Sequence, residues 1–282
     1  MDYEKRVVCF LDILGFKKMI LDSENDSVLR QKIYDCLSTT NENSKLYNQN
    51  RKYSISVASP SAQDLNSKIF DLGIEAEMSF FSDSIILSYK MNQMRGDLSD
   101  LKVILHEICS VAYQLLRIGF FVRGGLTYGQ IIHKGNICFG PALVNAVILE
   151  SKAVFPRIMI SPSFFDENSP DSVYYGRKNI IARNKEYWDE LYHCVDASDL
   201  SLDISSNISS LRRSYDLVHY LDILDEQING DIAAALHLKS IIEKELSAHH
   251  PDHIAEKYEW FKKYFNSIVC DVQCMNEARI EI

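Results

Sequence analysis

The chain has 282 residues, 46% hydrophobic and 24% charged, with a net charge of −9. That is enough apolar material for one large domain, or a domain with an appendix. The negative balance excludes a general nucleic-acid binder, which needs clustered positive charge to displace phosphate counterions, but it leaves room for a small anion held through metal ions.

In chain order, Val7–Ile13 is a short run rich in β-branched residues and reads as a strand buried on both faces. Gly15 breaks it, and Phe16–Leu37 has helical character. Ser38–Ser67 is polar and reads as a long loop. Ala76–Phe81 and Ile85–Tyr89 form a hairpin with Ser82-Asp83-Ser84 at its tip. Leu98, Leu101, Leu105, Ile108, Ala112 and Leu115 recur at helical spacing, so this stretch is an amphipathic helix lying on a sheet. Phe120–Tyr128 and Ile131–Phe139 read as a second strand pair turning near Gly129. A helix over Pro141–Lys152, with Pro141 in its first turn, and a strand over Arg157–Ser161 follow. From Ser209 onward helical segments dominate, with Ala235, Leu238, Ile242 and Leu246 as one stripe. Strands and helices in this order suit an α+β fold. The division expected is a core over 1–175 and a mainly helical C-terminal extension over 176–282, packed on it.

No run of about 18 apolar residues suggests a membrane span, and Met1–Arg6 lacks a signal-peptide pattern. Seven cysteines with no CxxC pair read as free thiols in a reducing cytoplasm. His133 reads as a surface hairpin residue. His249, His250 and His253 read as helix-surface side chains rather than zinc ligands.

Two carboxylates carry the chemical signal. Asp12 ends the first buried strand and Asp83 sits at the hairpin tip. An ionised carboxylate ending an apolar strand is costly unless it is paired or binds metal. If the first strand lies beside the hairpin, the two could hold two Mg²⁺ or Mn²⁺ ions, which favour oxygen ligands and leave sites for phosphate. Asp12-Ile13-Leu14-Gly15-Phe16 passes directly from strand to helix, and backbone N–H groups there could receive a triphosphate. An ordinary strand-to-helix turn accounts for that segment equally well.

These features together resemble the class III nucleotide cyclases. That family opens with a strand aspartate and a Gly-Phe turn, here Phe10-Leu11-Asp12-Ile13-Leu14-Gly15-Phe16. Its second metal aspartate lies between two hairpin strands, here Phe81-Ser82-Asp83-Ser84, with Ser82 where Gly is usual. Its next hairpin reads Arg-x-Gly-Ile-x-x-Gly, here Arg123-Gly124-Gly125-Leu126-Thr127-Tyr128-Gly129. A glycine then precedes a helix ending in Glu-Ser, here Gly140 and Glu150-Ser151.

The departures also inform. The purine readers of the family fall on Ser79 and Ile137. Its transition-state Asn and Arg fall on Val144 and Ile148, and Asn145 is one place out of register, about 100° around the helix. Metal aspartates kept and purine readers lost resemble the bacterial Pycsar cyclases, which make cyclic UMP or cyclic CMP on phage infection. So do Gly140–Arg157 and Lys257–Asn266.

The resemblance implies a ferredoxin-like cyclase core. It implies two Mn²⁺ or Mg²⁺ ions at Asp12, Ile13 and Asp83, with Arg123 meeting the polyphosphate. Gly15, Phe16, Ser79, Tyr47 and Arg157 become candidate substrate contacts, with Tyr53 a further candidate for the base and Lys17, Lys18 and Lys152 for phosphate. It implies a nucleoside triphosphate substrate, UTP ahead of CTP. It also implies a homodimer with interface active sites and a separate effector that senses the cyclic nucleotide. A catalytically inactive homologue acting as a binding module remains the alternative of another class.

Overall fold

The apolar run near the N-terminus becomes the middle of a sheet. In a computed structural model of the chain, residues 2–49, 54–55, 70–71, 75–90, 99–161, 217–218, 232–269 and 277–281 are described. The elements are β1 (Glu4–Ile13), α1 (Phe16–Asp22), α2 (Ser27–Gln49), the short β2 (Ser54–Ile55) and β3 (Phe70–Asp71), β4 (Glu75–Phe81), β5 (Ser84–Lys90) and α3 (Ser99–Arg117). There follow β6 (Val122–Lys134), β7 (Ile137–Phe139), α4 (Pro141–Lys152), β8 (Ile158–Ile160), β9 (Leu217–Val218), α5 (Ile232–Ser247) and α6 (Asp252–Val269).

The main sheet has the order β4-β5-β1-β6-β8-β9, with β7 added on β6. Neighbours are antiparallel except β6 and β8. The stretch β1-helix-β4-β5-α3-β6, with β1 between β5 and β6, is the split βαβ arrangement of ferredoxin-like folds. The chain is α+β, as its pattern predicts.

Alternation sends odd-numbered residues of β1 to one face and even-numbered ones to the other. Val7, Cys9, Leu11 and Ile13 join the main core, where α2, α3, α5 and α6 pack through residues such as Ile33, Ile108, Leu238 and Phe261. Val8 joins a smaller cluster on the opposite face with Ile131, Ala142 and Ala146, covered by α4. Both faces of β1 are therefore buried, which is why the run reads as continuously apolar.

Five expectations need correction. The helical stretch after Gly15 is broken at Ser23–Asp26, where Asp26 caps α2 by accepting hydrogen bonds from the N–H groups of Val28 and Leu29 at 2.9 and 3.0 Å. Once capped, α2 runs on to Gln49 through residues expected as loop, because each added residue of a nucleated helix gains a hydrogen bond. Gly129 is not a turn. Strand β6 passes through it opposite Arg6 and turns at Gly135 instead. A Cβ on Gly129 would stand 3.4 Å from that of Ala142, so this glycine admits α4 close to the sheet. Leu217–Val218, expected in a helical region, is a strand paired with β8. His133 is buried at 3% exposure, because β6 carries it under the β4–β5 hairpin rather than to a loop tip.

Candidate active site

The C-terminal end of β1 places Asp12 between two strands. Its cross-strand neighbours are Ser84 on β5 and Arg123 on β6. Asp83 occupies the β4–β5 turn, and its main-chain carbonyl accepts a hydrogen bond from the Ile13 N–H at 3.0 Å. The two aspartates marked by their settings in the sequence are thus neighbours in space. Ser82 makes the turn with φ of 58°, the sole positive value outside glycine among the described residues. The backbone explains why glycine is usual in that place.

Arg123 ties the site together. Its Nη2 lies 3.5 Å from Asp12 Oδ2, and its Nε is in contact with Glu150 Oε1. Glu150 comes from the last turn of α4, and its side chain is only 7% exposed. Gly125 makes that approach possible. A Cβ there would fall 2.1 Å from the Ala146 carbonyl oxygen and 2.9 Å from the Glu150 nitrogen. The sequence flags Glu150 only as half of a Glu-Ser motif. Its role emerges once α4 is seated on β6.

Charge is concentrated here beyond what one guanidinium neutralises. The Asp12 carboxyl is pushed up to about 6, first by burial, then by the Glu150 carboxylate, against the pull of Arg123 and with a further push from Asp83. Glu150 is also raised, by burial, with Arg123 opposing. Clustered, partly buried carboxylates that resist ionisation are relieved by a divalent cation. No group of three or more His, Cys, Asp or Glu able to hold a metal occurs among the described residues. Asp12, Ile13 and Asp83 are nonetheless brought together at one end of the sheet, and oxygen donors of this kind would suit Mg²⁺, which commonly fills its remaining positions with water and phosphate oxygens.

The other expected residues divide. Gly15 takes φ of 73° as N-cap of α1, and among the described residues no neighbour lies within 4 Å of where its Cβ would be. The turn beside the aspartates is thus open. The Phe16 side chain is buried in the core, which leaves only its backbone for a ligand. Arg157 is 8% exposed, with its guanidinium 5.8 Å from the Phe155 ring centre and 3.8 Å from Met159 Sδ. Tyr47 lies on α2 with its side chain outside the described part, and Tyr53 lies wholly outside it.

Ser79 is held by groups of the protein itself. It is level with Phe10, two strands away from β1, and 6% exposed. Its hydroxyl donates to the Gly135 carbonyl at 2.6 Å and so must accept from His133 Nε2, also at 2.6 Å. The other ring nitrogen, Nδ1, then accepts from the Ser88 hydroxyl at 2.8 Å. Burial, helped by the nearby Arg6 charge, lowers the imidazole to about 4, so it is neutral. Ile137, Val144 and Ile148, on the other family positions, are 64%, 58% and 46% exposed.

No protein-family model matches the chain, and no curated protein does. Among solved structures, an adenylyl cyclase, CyaB from P. aeruginosa, superposes with a TM-score of 0.38 at 13% identity. It covers 65% of this chain and 84% of its own. A bacterial light-regulated adenylyl cyclase superposes at 0.35 and 13% identity over 57% of this chain and 44% of its own, so the match spans less than half of that protein. Superpositions this loose decide neither substrate nor activity. No helix among the described residues is long and apolar enough to cross a membrane.

Proposed function

We propose that the chain is a cytoplasmic nucleotide cyclase of the class III type that converts UTP to 3′,5′-cyclic UMP and pyrophosphate, with CTP as the next substrate. The observation that carries the reading is Asp12 and Asp83 at adjoining strand ends, with Arg123 directly across from Asp12. The 3′-hydroxyl oxygen attacks the α-phosphorus. The bond to the β-phosphate oxygen breaks, pyrophosphate leaves with the electron pair, and the hydroxyl proton is lost to solvent. Divalent ions, when bound, would neutralise phosphate charge and lower the hydroxyl pKa. Asp12, Asp83 and the Ile13 carbonyl would hold those ions, and Arg123, kept in place by Glu150, would orient the polyphosphate. The open turn at Gly15 would offer backbone N–H groups.

The pyrimidine assignment is supported by Ser79 and Ile137, where the resembling family has purine readers. Exposed Ile137 and Phe139 on β7, with Val144 and Ile148 on α4, support a second copy of the chain as the partner over this face. Cyclic UMP as an antiphage signal, read by a separate effector, belongs to the same reading through the Pycsar resemblance. Val144 and Ile148, apolar where the family has its transition-state Asn and Arg, favour a second reading: an inactive homologue that binds nucleotide.

The test is incubation of purified protein with ATP, GTP, CTP or UTP and Mn²⁺, read by mass spectrometry, beside Asp12→Asn and Asp83→Asn. A single cyclic pyrimidine lost in both variants upholds the proposal. A purine product overturns the base assignment. Absence of any product moves the weight to the inactive homologue.

A further inference from the structure

The hairpin that carries Asp83 also carries an exposed aromatic ring. Strand register sets four residues in one row across the sheet end. Phe81 on β4 pairs with Ser84 on β5, Ser84 with Asp12 on β1, and Asp12 with Arg123 on β6. Phe80 packs against the main core, so alternation turns Phe81 to the other face of the sheet. That is the α4 face, where Val8 of β1 packs and where Glu150 of α4 meets Arg123. Asp12, even-numbered like Val8, lies on it too. The Phe81 ring is 80% exposed.

We propose that Phe81 is the platform on which the base of the nucleotide stacks, with the nucleotide lying along this row and its polyphosphate at Arg123. The inference rests on reading the site as one for a nucleoside triphosphate.

The chemistry fixes the direction. Cyclisation joins the ribose 3′-oxygen to the α-phosphorus, so ribose and α-phosphate belong over Asp12 and Asp83. The β- and γ-phosphates leave that point on one side and the base on the other. Arg123 takes the phosphate side, next to Asp12. The opposite side of the row is Ser84 and then Phe81. Neighbouring strands lie about 4.8 Å apart, which puts β4 about 10 Å from β1. A ribose with its base bridges a gap of that order.

The platform is set before a ligand arrives. The Asp83 carbonyl is tied to the Ile13 N–H at 3.0 Å, and Ser82 makes the turn at φ of 58°. The end of β4 is thus fixed to β1. A ring already held in place loses little freedom on binding and gains by leaving water. Every base has an aromatic face, so Phe81 adds affinity without choosing among bases.

The test titrates the full chain, with Mg²⁺, against each of the four 3′-deoxynucleoside triphosphates and against inorganic tripolyphosphate. The deoxy compounds lack the attacking hydroxyl and cannot cyclise. Calorimetry compares the wild type, Phe81→Ala and Phe81→Trp. Phe81→Ala should bind the tightest of the four nucleotides about tenfold more weakly, the scale of one base–aromatic stack. It should treat tripolyphosphate as the wild type does. Phe81→Trp should keep the nucleotide affinity. Both variants should melt with the wild type, because the ring is 80% exposed. Unchanged nucleotide binding in Phe81→Ala, an equal loss for tripolyphosphate, a lower melting point, or no nucleotide bound by the wild type would each overturn the proposal. So would altered sedimentation of Phe81→Ala, which would assign the ring to a contact between copies. Phe81-dependent binding in a protein that forms no cyclic nucleotide would uphold the platform and remove the cyclase reading. Cyclic product from Phe81→Ala at the wild-type KM would do the reverse.

Discussion

Asp12 and Arg123 are direct cross-strand partners on β1 and β6, with carboxylate and guanidinium 3.5 Å apart and Glu150 on the other side of the arginine. One cation is shared between two acids, so Asp12 is only half neutralised and is free to take a stronger partner. Asp12→Asn should reduce metal-dependent turnover by on the order of a hundredfold or more, as removal of a preorganised charge contact does. It should not lower the melting temperature, because Arg123 keeps Glu150. A variant that unfolds early would mean that Asp12 is structural.

The raised Asp12 pKa has a definite sign. The folded carboxyl sits at about 6 against an ordinary 3.8, so its ionised form is disfavoured by folding. The stability cost is absent below pH 3.8, grows as pH rises, and is complete above about 6. Urea unfolding should therefore show Asp12→Asn gaining on the wild type between those limits and keeping a constant lead above them. His133 acts in the opposite sense. Its pKa is lowered from 6.5 to about 4, so its contribution is whole above 6.5 and is lost as pH falls through 4. It is common to both proteins and cancels in the comparison. If the two unfolding curves stay parallel from pH 4 to 7, Asp12 is not the strained acid described.

On the proposed reading, a divalent ion would compete with the proton for Asp12. The acid limb of the pH–rate profile of the free enzyme should fall near 6 at low Mn²⁺ and move to lower pH as Mn²⁺ rises. A limb that ignores Mn²⁺ would assign it to another group.

The order of elements was legible because β1 is a short β-branched apolar run and α3 carries a clear helical period, and because turn residues mark Gly15 and the Ser82-Asp83 tip. The pairing of Asp12 with Asp83 was legible too, since strand ends that carry acids make sense only together. Three things lay beyond the sequence. The polar half of α2 has no apolar stripe to betray it. Gly129 looks like a turn residue until α4 is laid against it. Glu150 looks like a solvated helix-end acid until Gly125 lets its helix down onto Arg123. For Gly129 and Glu150 a tertiary contact outweighed the local signal, whereas α2 was carried on by helix propagation.

Gly125 is where that packing is most easily broken. A Cβ at this position would overlap the Ala146 carbonyl oxygen at 2.1 Å and the Leu149 Cβ at 2.7 Å, both on α4 and neither at the end of a flexible side chain. Gly125→Ala should cost about 2–3 kcal/mol in stability, the range of overpacked core sites. If the protein still folds, the shifted helix should draw Glu150 away from Arg123 and weaken nucleotide binding. Denaturant unfolding and nucleotide titration read the two effects separately. An unchanged midpoint would show that α4 is not pinned at Gly125.

Ser79 invites a substitution that the fold should refuse. The resemblance puts the adenine-reading lysine of the family here, so Ser79→Lys is the obvious attempt to turn base choice toward ATP. In this chain the position is 6% exposed and the hydroxyl is bound to Gly135 and His133. Arg6, itself buried, already charges the neighbourhood enough to depress His133. The acid within reach, Glu77, accepts the Gly135 N–H at 3.1 Å. An added ammonium would have to give up its hydration beside the Arg6 charge and displace the Ser79 hydrogen bonds, at a cost of roughly 3–5 kcal/mol, the scale of a poorly compensated buried charge. Ser79→Lys should therefore unfold at markedly lower denaturant and make no cyclic AMP, whereas Ser79→Ala should fold with a smaller loss. A stable Ser79→Lys protein that accepts ATP would mean that the Ser79–His133–Ser88 cluster opens to ligand, with base choice set there after all.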